Sequence, residues 1–346
     1  MRAIRTAMPM TILSLANITL VGMHQARAND VEKFFAGKTI TFITSTGVAG
    51  PYDTTARAMS RHMPRHIPGN PVMVVKNMPG GGHVLATNFM YNNAPRDGTH
   101  IATVNGTIPT HQVIDGTGVR FDARHFNWLG STASPNLITV TWSSSKTKTI
   151  QDAMKNEVVA GATGAGSMAA LYPTILNNVL GTKFKIIMGY KSAGAIDLAL
   201  EAGEVESRSG SSYDSLRSDH PDWLRNNKVN ILVQVGARRA KEMPDVPLMH
   251  ELGRTEEERN ILRLLSSAVT VGRPVFLPQD VPADRLAAMR KAFDATMKDP
   301  AFLEETKKLG LEIDPTNWED LTKAVNDTIN QPPEVIAKAR AAIQLP

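Results

Sequence analysis

The sequence predicts an α/β protein of two lobes with a hinge and a cleft between them. Three observations predict it. Short β-rich runs alternate with helical patterns along most of the chain. The alternation lapses near residue 135 and restarts at Leu137. The chain without its leader keeps roughly 320 residues, more than one ordinary domain needs.

The leader comes first. Arg2 and Arg5 precede a run without formal charge from Thr6 to Met23, and Ala26-Arg27-Ala28 follows. A charged start, an apolar middle and small residues at the cleavage positions predict a secretory signal peptide over residues 1–28. The run is too short and too rich in Thr, Ser and Asn for a membrane span. A periplasmic protein beginning near Asn29 is expected.

Thr39–Thr44 alternates in period two and predicts the first strand. Asp53 then opens a helical pattern with Ala56, Met59 and Met63 on one face, and suits the cap. Pro71–Val75 predicts a strand, Val84–Tyr91 a helix and Thr99–Val104 a third strand. That order is the mark of a parallel sheet with right-handed crossovers. The second series has strands at Leu137–Trp142, Glu157–Ala160, Phe184–Met188 and Val229–Val235. Thr149 and Asp152 form a capping box, Met168–Leu180 a helix closed by Gly181, and Ala195–Ala202 another helix. The last 65 residues read as mostly helical. Pro282 suits a first turn, Leu286, Met289, Phe293 and Met297 make a core-facing stripe, and Thr316 with Glu319 makes a second capping box. The lobes are expected at 29–135 plus 237–346, and at 136–236.

Composition removes several classes of function. The formal charge of +5 includes Arg2, Arg5 and Arg27 of the leader, and the other basic residues lie among acids. With only 5% aromatic residues, no basic and aromatic stripe exists for nucleic acid. The absence of Cys excludes thiol catalysis, Cys-based zinc sites and iron–sulfur clusters, so the core alone must hold the protein together. No cofactor or metal is expected, and a monomer is the simplest state.

Three glycine-bearing turns follow strands and precede helices: Thr44–Asp53, Gly80–Gly82 and Gly161–Ser167. Helix N-termini carry unpaired N–H groups and a partial positive charge, and glycine lets the main chain approach a ligand. Such turns bind anions without a charged side chain. The Gly161 turn lacks the dinucleotide spacing, and Lys183 and Lys185 stand where an acid would follow. No G-x-S-x-G elbow and no H-E-x-x-H motif occurs. His62 and His66 are separated by Pro64 and read as surface residues at a helix end. Lys191 reads as a loop cation.

At these turns the chain resembles the Bug-type (TctC-like) extracytoplasmic receptors of tripartite tricarboxylate transporters. The resemblance rests on Gly50-Pro-Tyr-Asp-Thr-Thr-Ala-Arg57, Val74-Val-Lys-Asn-Met-Pro-Gly-Gly-Gly82 and Ala94-Pro-Arg-Asp-Gly98. It continues through Gly161–Ser167, Tyr190-Lys-Ser-Ala-Gly194 and Met243-Pro-Asp-Val-Pro247. It implies a type II-like periplasmic binding protein, not an enzyme, that closes on a small organic acid and delivers it to membrane permease subunits. First-lobe contacts implied are Thr46, Gly47, Val48, Gly50 and Tyr52, with Asn105 and Thr107. Those of the second lobe are Thr163, Gly164, Gly166 and Ser167, then Ser192, Ala193 and Gly194, then Ser209, Gly210 and Ser211. Pro51 removes one N–H donor where the family often has consecutive glycines. Tyr52 either favours an aromatic acid or is packing, and Arg208 faces solvent or a second ligand charge. The competing readings are an exported hydrolase using Ser167 or Asp53, and a sensor subunit serving a membrane kinase.

Overall fold

The computed structural model describes residues 29–48, 51–165 and 167–344. The expected signal peptide and two expected contacts, Gly50 and Gly166, lie outside the described residues. After a helix over residues 29–35, the strands are β1 (Thr39–Thr44), β2 (Val72–Asn77), β3 (His100–Thr103), β4 (Asn127–Ser131) and β5 (Leu137–Trp142). They continue as β6 (Val158–Ala162), β7 (Phe184–Met188), β8 (Ser207–Ser212), β9 (Val229–Val235), β10 (Pro274–Leu277) and β11 (Thr316–Asn317).

Two sheets result, ordered β11-β4-β10-β3-β1-β2 and β7-β6-β8-β5-β9. Both are mixed. β1, β2 and β3 are mutually parallel, but β10 runs antiparallel to β3 and β4. β6, β7 and β8 are parallel, and β5 runs antiparallel to β8 and β9. The wholly parallel expectation failed because β10 is a four-residue strand that begins at Pro274 and is followed by Pro278, and was not legible as a strand. In each sheet one strand, β1 or β6, is thus flanked by its two successors, and beyond them lies a strand of opposite sense, β10 or β5, contributed from beyond a lobe crossing.

Register fixes where the chain crosses. Thr44, Asn77 and Thr103 lie at one edge of the first sheet, beside the start of β10 and the end of β4 at Ser131. In the second sheet the start of β5 at Leu137 pairs with Ser212 and Val235, the ends of β8 and β9. Both crossings therefore leave from the edge where the parallel strands end.

The first sheet is covered by helices Pro51–His62, Val84–Asn92, Ala283–Met297 and Trp318–Ile329, with Phe42, Met59, Phe293, Phe276 and Leu321 in its cores. The expected stripe is there: Met289, Phe293 and Met297 are buried and Leu286 packs beside them. Helices Glu256–Val271 and Pro333–Ala342 instead share a core with the second sheet, through Leu262, Leu265 and Ala339 against Val158, Ile175 and Val233. Arg340 Nε donates to the Ile114 carbonyl at 2.7 Å, tying the last helix back to the first-lobe helix Ile108–Ile114.

Several boundaries moved. The first long helix starts at Pro51, so Asp53 lies within its first turn instead of capping it. The capping box at Thr149 and Asp152 forms as expected, and Gly181 closes its helix at φ 74°. At residue 317 the cap is Asn317, which accepts from Asp320 N–H at 2.7 Å, because Thr316 is paired with Ser131. His62 and His66 are not free surface groups: His62 is buried, and their Nε2 atoms lie 2.6 Å from Glu305 and 2.7 Å from Asp299. Arg61 and Arg65 bond the same two carboxylates, so this cluster clamps the first long helix to helix Pro300–Lys308.

The crossing is crowded. A Cβ on Gly106 would lie 2.3 Å from the Ala268 carbonyl oxygen, and one on Gly272 2.1 Å from that of Ala133. Gly106→Ala should therefore destabilise the protein by about 1–3 kcal/mol in urea titration. Gly164→Ala, with nothing within 4 Å of its Cβ position, should stay within about 0.5 kcal/mol. Burial raises the Asp299 carboxyl, but hydrogen bonds from Arg65, His66 and Ala301 N–H outweigh it and hold the group well below the usual carboxylate range. A depressed folded value stabilises above the unfolded pKa and is lost as pH falls through the folded one. Asp299→Asn should lower the urea midpoint at pH 7, and its gap from the unaltered protein should shrink below about pH 4.

Candidate functional site

The turn after β1 is held by side chains. Asn77, at the end of β2, donates from Nδ2 to the Thr46 carbonyl at 3.0 Å and to Asp53 Oδ1 at 2.7 Å. Arg57 grips the same carboxylate with two 2.9 Å bonds and reaches Asn77 Oδ1 at 3.0 Å. Asp53 is 1% exposed and its charge is neutralised inside the lobe, so an arriving anion does not meet a bare carboxylate. Thr46 and Thr44 share a 3.1 Å hydroxyl contact, and Ser45 Oγ lies 3.0 Å from His83 Nδ1. Gly47 is exposed and Val48 is 73% exposed at the tip. The anchoring role of Asn77 was missed because the strand was expected to stop at Val75; an Asn ahead of Pro79-Gly80 was the available signal.

After β3, Asn105 Oδ1 accepts from Thr107 N–H at 2.9 Å, and Gly106 between them packs on Gly272. Tyr52 Oη approaches the Gly272 carbonyl at 3.5 Å. Burial pushes the Tyr52 phenol up, while the Arg273 charge and a Gly106 backbone contact pull it back. Tyr52, Asn105 and Thr107 thus converge on the crossing.

In the second lobe, Ser167 caps helix Met168–Ile175. Its Oγ donates to the Gly164 carbonyl at 2.7 Å and accepts from Ala170 N–H at 3.3 Å. Ser192 caps helix Ala193–Ala202 by accepting from Ala195 N–H at 3.2 Å, leaving Ala193 and Gly194 exposed in the first turn. Thr163 is exposed beside Gly164. The β5–β8 register shifts between Ile138 and Thr139, which makes Gly210 an extra, unpaired residue at φ 83°. There its missing Cβ would sit 2.6 Å from Met168 Cβ, so β8 lies against the start of the Ser167-capped helix. Tyr190 N–H donates to the Ala162 carbonyl at 3.3 Å and brings the 189–194 turn to the same edge. Ser209 is 3% exposed and its hydroxyl meets Thr139 at 2.9 Å, so only its main chain is available. Ser211 is half-buried.

Every described residue of the two expected sets therefore lies at or just beyond the ends of β1, β3, β6, β7 and β8. β1 has β2 and β3 on opposite sides, β6 has β7 and β8 on opposite sides, and ligands bind outside the carboxyl ends of strands at such switch points. A cavity of about 570 Å³ opens at the crossing, lined by Ser134, Asn136 and Ser212 on one side and Glu312 and Asp314 on the other. None of the expected contacts lines it.

The model of the TctC family, described as tripartite tricarboxylate transporter family receptor, matches residues 55–340. The chain belongs to this family. It is 24% identical over 314 residues to a Cupriavidus necator protein described as a UPF0065 protein in the gbd 5′ region, covering 88% of each chain. A TctC solute-binding protein from Polaromonas superposes with a TM-score of 0.67 at 16% identity, over 88% of this chain and 98% of that one. MatC from Rhodopseudomonas palustris, solved with bound malate, superposes at 0.51 with 18% identity, over 89% and 99%. The TctC receptor has the two-lobed fold of periplasmic binding proteins, and it is a binding protein, not an enzyme.

The hydrolase alternative fails on geometry as well. Ser167 spends its hydroxyl on the helix cap, and Asp53 is locked to Arg57 and Asn77. Among the described residues, no group of three or more His, Cys, Asp or Glu is arranged to hold a metal ion. Arg208 is half-buried and its charge is already paired with Asp197, which His220 Nε2 also meets at 3.1 Å. Ser167→Ala in the TctC receptor should cost about 1 kcal/mol of stability through loss of the cap, measured by denaturant titration.

Proposed function

We propose that this receptor captures a small organic acid between its lobes and delivers it to the membrane subunits of a tripartite tricarboxylate transporter. The observation that carries the reading is the chemistry of the two strand-end edges. Both offer main-chain N–H groups and hydroxyls, the first adds the Asn105 amide, and the acids beside them, Asp53 and Asp197, are paired with Arg57 and Arg208. The Asn105 amide nitrogen and the exposed turns at Gly47 and Thr163 supply donors from opposite lobes. The malate found in MatC supports an acid of this kind.

The lobes are proposed to divide at 29–135 plus 237–346 and at 136–236, with the helices Glu256–Val271 and Pro333–Ala342 bridging them. The proposed contacts are the seventeen residues the family resemblance implies, with Ser209 acting through its main chain. Export through residues 1–28 would place the receptor in the periplasm, as befits its family. Hydrogen bonds to an anion contribute roughly 1.5–3 kcal/mol each, so about four to six donors offset desolvation and leave micromolar binding, near −8 kcal/mol. Neither lobe holds that many alone. Binding then shifts an open–closed equilibrium toward the closed form that the permease recognises.

A thermal-shift screen of mono-, di- and tricarboxylates tests this. At about one hundred times the dissociation constant, a true ligand adds about 2.7 kcal/mol and raises the unfolding temperature measurably. No rise with any acid, and no acid carried through purification, would overturn the reading.

A further inference from the structure

We propose that Arg273 recognises a second acidic group of the ligand, which makes the receptor selective for dicarboxylates over matched monocarboxylates. This rests on the organic-acid reading of the cleft. Arg273 immediately precedes β10, whose first residues pair with Ser131 and Thr103. It therefore stands on the strand-end edge of the first sheet, between the Asn105–Thr107 turn and the crossing at 132–136. Its main chain is pinned there. The N–H lies 2.9 Å from both the Ala133 carbonyl and Ser131 Oγ, and its carbonyl accepts from Thr132 N–H at 3.0 Å.

The side chain is the unusual part. Arg57, Arg208, Arg238 and Arg239 each have a carboxylate partner: Asp53, Asp197, Asp314 and Glu251. Arg273 is half-buried, and among the described residues it has none. Its one side-chain hydrogen bond is from Nη1 to the Glu312 carbonyl at 3.4 Å, a long contact to a neutral group. A guanidinium carries five donors in a planar fork matched to a carboxylate. Holding that charge partly out of water without an anion is costly, and an incoming carboxylate offsets the cost. The charge also reaches the neighbouring proposed contact, since it opposes the burial that raises the Tyr52 phenol. Lys191, a cation beside the proposed 192–194 contacts, is exposed on its loop. One acid group is thus held by neutral donors, and the other by half-buried Arg273 beside the crossing.

The test is calorimetric titration of the mature receptor with succinate, glutarate and adipate and with the monomethyl ester of each. The unaltered receptor should bind at least one diacid about tenfold or more tighter than its ester, the loss expected for one hydrogen-bonded charge pair. Arg273→Gln should bring that ratio to about one by weakening the diacid alone, Arg273→Lys should leave an intermediate ratio, and Lys191→Gln should not change it. Equal binding of diacid and ester by the unaltered receptor, or an undiminished ratio in Arg273→Gln, overturns the proposal. If Arg273→Gln does not fold, the ester comparison and Arg273→Lys decide. Failure of the unaltered receptor to bind any acid overturns the organic-acid reading and this proposal together, whereas equal binding of diacid and ester overturns this one alone.

Discussion

At the crossing between the lobes, three stretches of main chain run too close together for side chains. Gly106 abuts Ala268 and Gly272, and Gly272 in turn abuts Ala133. The contacts join the turn after β3, the end of the bridging helix and the first crossing strand into one joint. The Arg273 hydrogen bonds to Ala133 and Thr132 close it. Because overpacking is costly in a close-packed interior, this joint fixes the hinge side of both strand-end edges. The proposed contacts Tyr52, Asn105 and Thr107 take their positions from it.

The second requirement is electrostatic. A cleft meant for an anion must not present carboxylates, yet the β1 turn is followed within a few residues by Asp53. The fold resolves this locally. The i,i+4 pairing with Arg57 and the Asn77 amide saturate the carboxylate in the first turn of its helix, where an acidic group also suits the helix dipole. The same Asn77 holds the Thr46 carbonyl. One small network therefore sets the shape of the turn and removes the charge that would oppose its ligand.

Much of this was legible in the sequence, and the rest was hidden for identifiable reasons. β1, β5, β7 and β9 were readable to the residue, because each is a run of alternating or β-branched residues bounded by turn formers. β4, β8, β10 and β11 were not. β8 is Ser-Arg-Ser-Gly-Ser-Ser, with almost no apolar signal, and is a strand only because Thr139 and Val140 lie beside it. β10 begins at Pro274 and is followed by Pro278. Without those strands the order of each sheet, and hence the mixed topology, could not be derived. The strand-end turns were legible because glycine and helix caps leave a local mark. The joint was not, because it depends on which glycines meet across more than a hundred residues of chain.

The two lobes hold their turns differently, and the difference follows from local sequence. The first-lobe turn is cross-linked through Asn77, His83 and the Asp53–Arg57 pair, so three separate segments must move for it to deform. The second-lobe turns at Gly164 and Ser192 are held chiefly by bonds within three residues, the Ser167 and Ser192 caps, with one longer tie from Tyr190 N–H to the Ala162 carbonyl. Caps of this kind contribute about 1 kcal/mol, and a turn held only by one is easily reshaped. The first-lobe turn is therefore braced across segments, whereas the second-lobe turns are held locally. In the proposed reading, the braced side offers a constant pattern of donors to an acid group. In the same reading, the exposed helix ends at Thr163 and Gly194 are where the site adapts to the rest of the ligand.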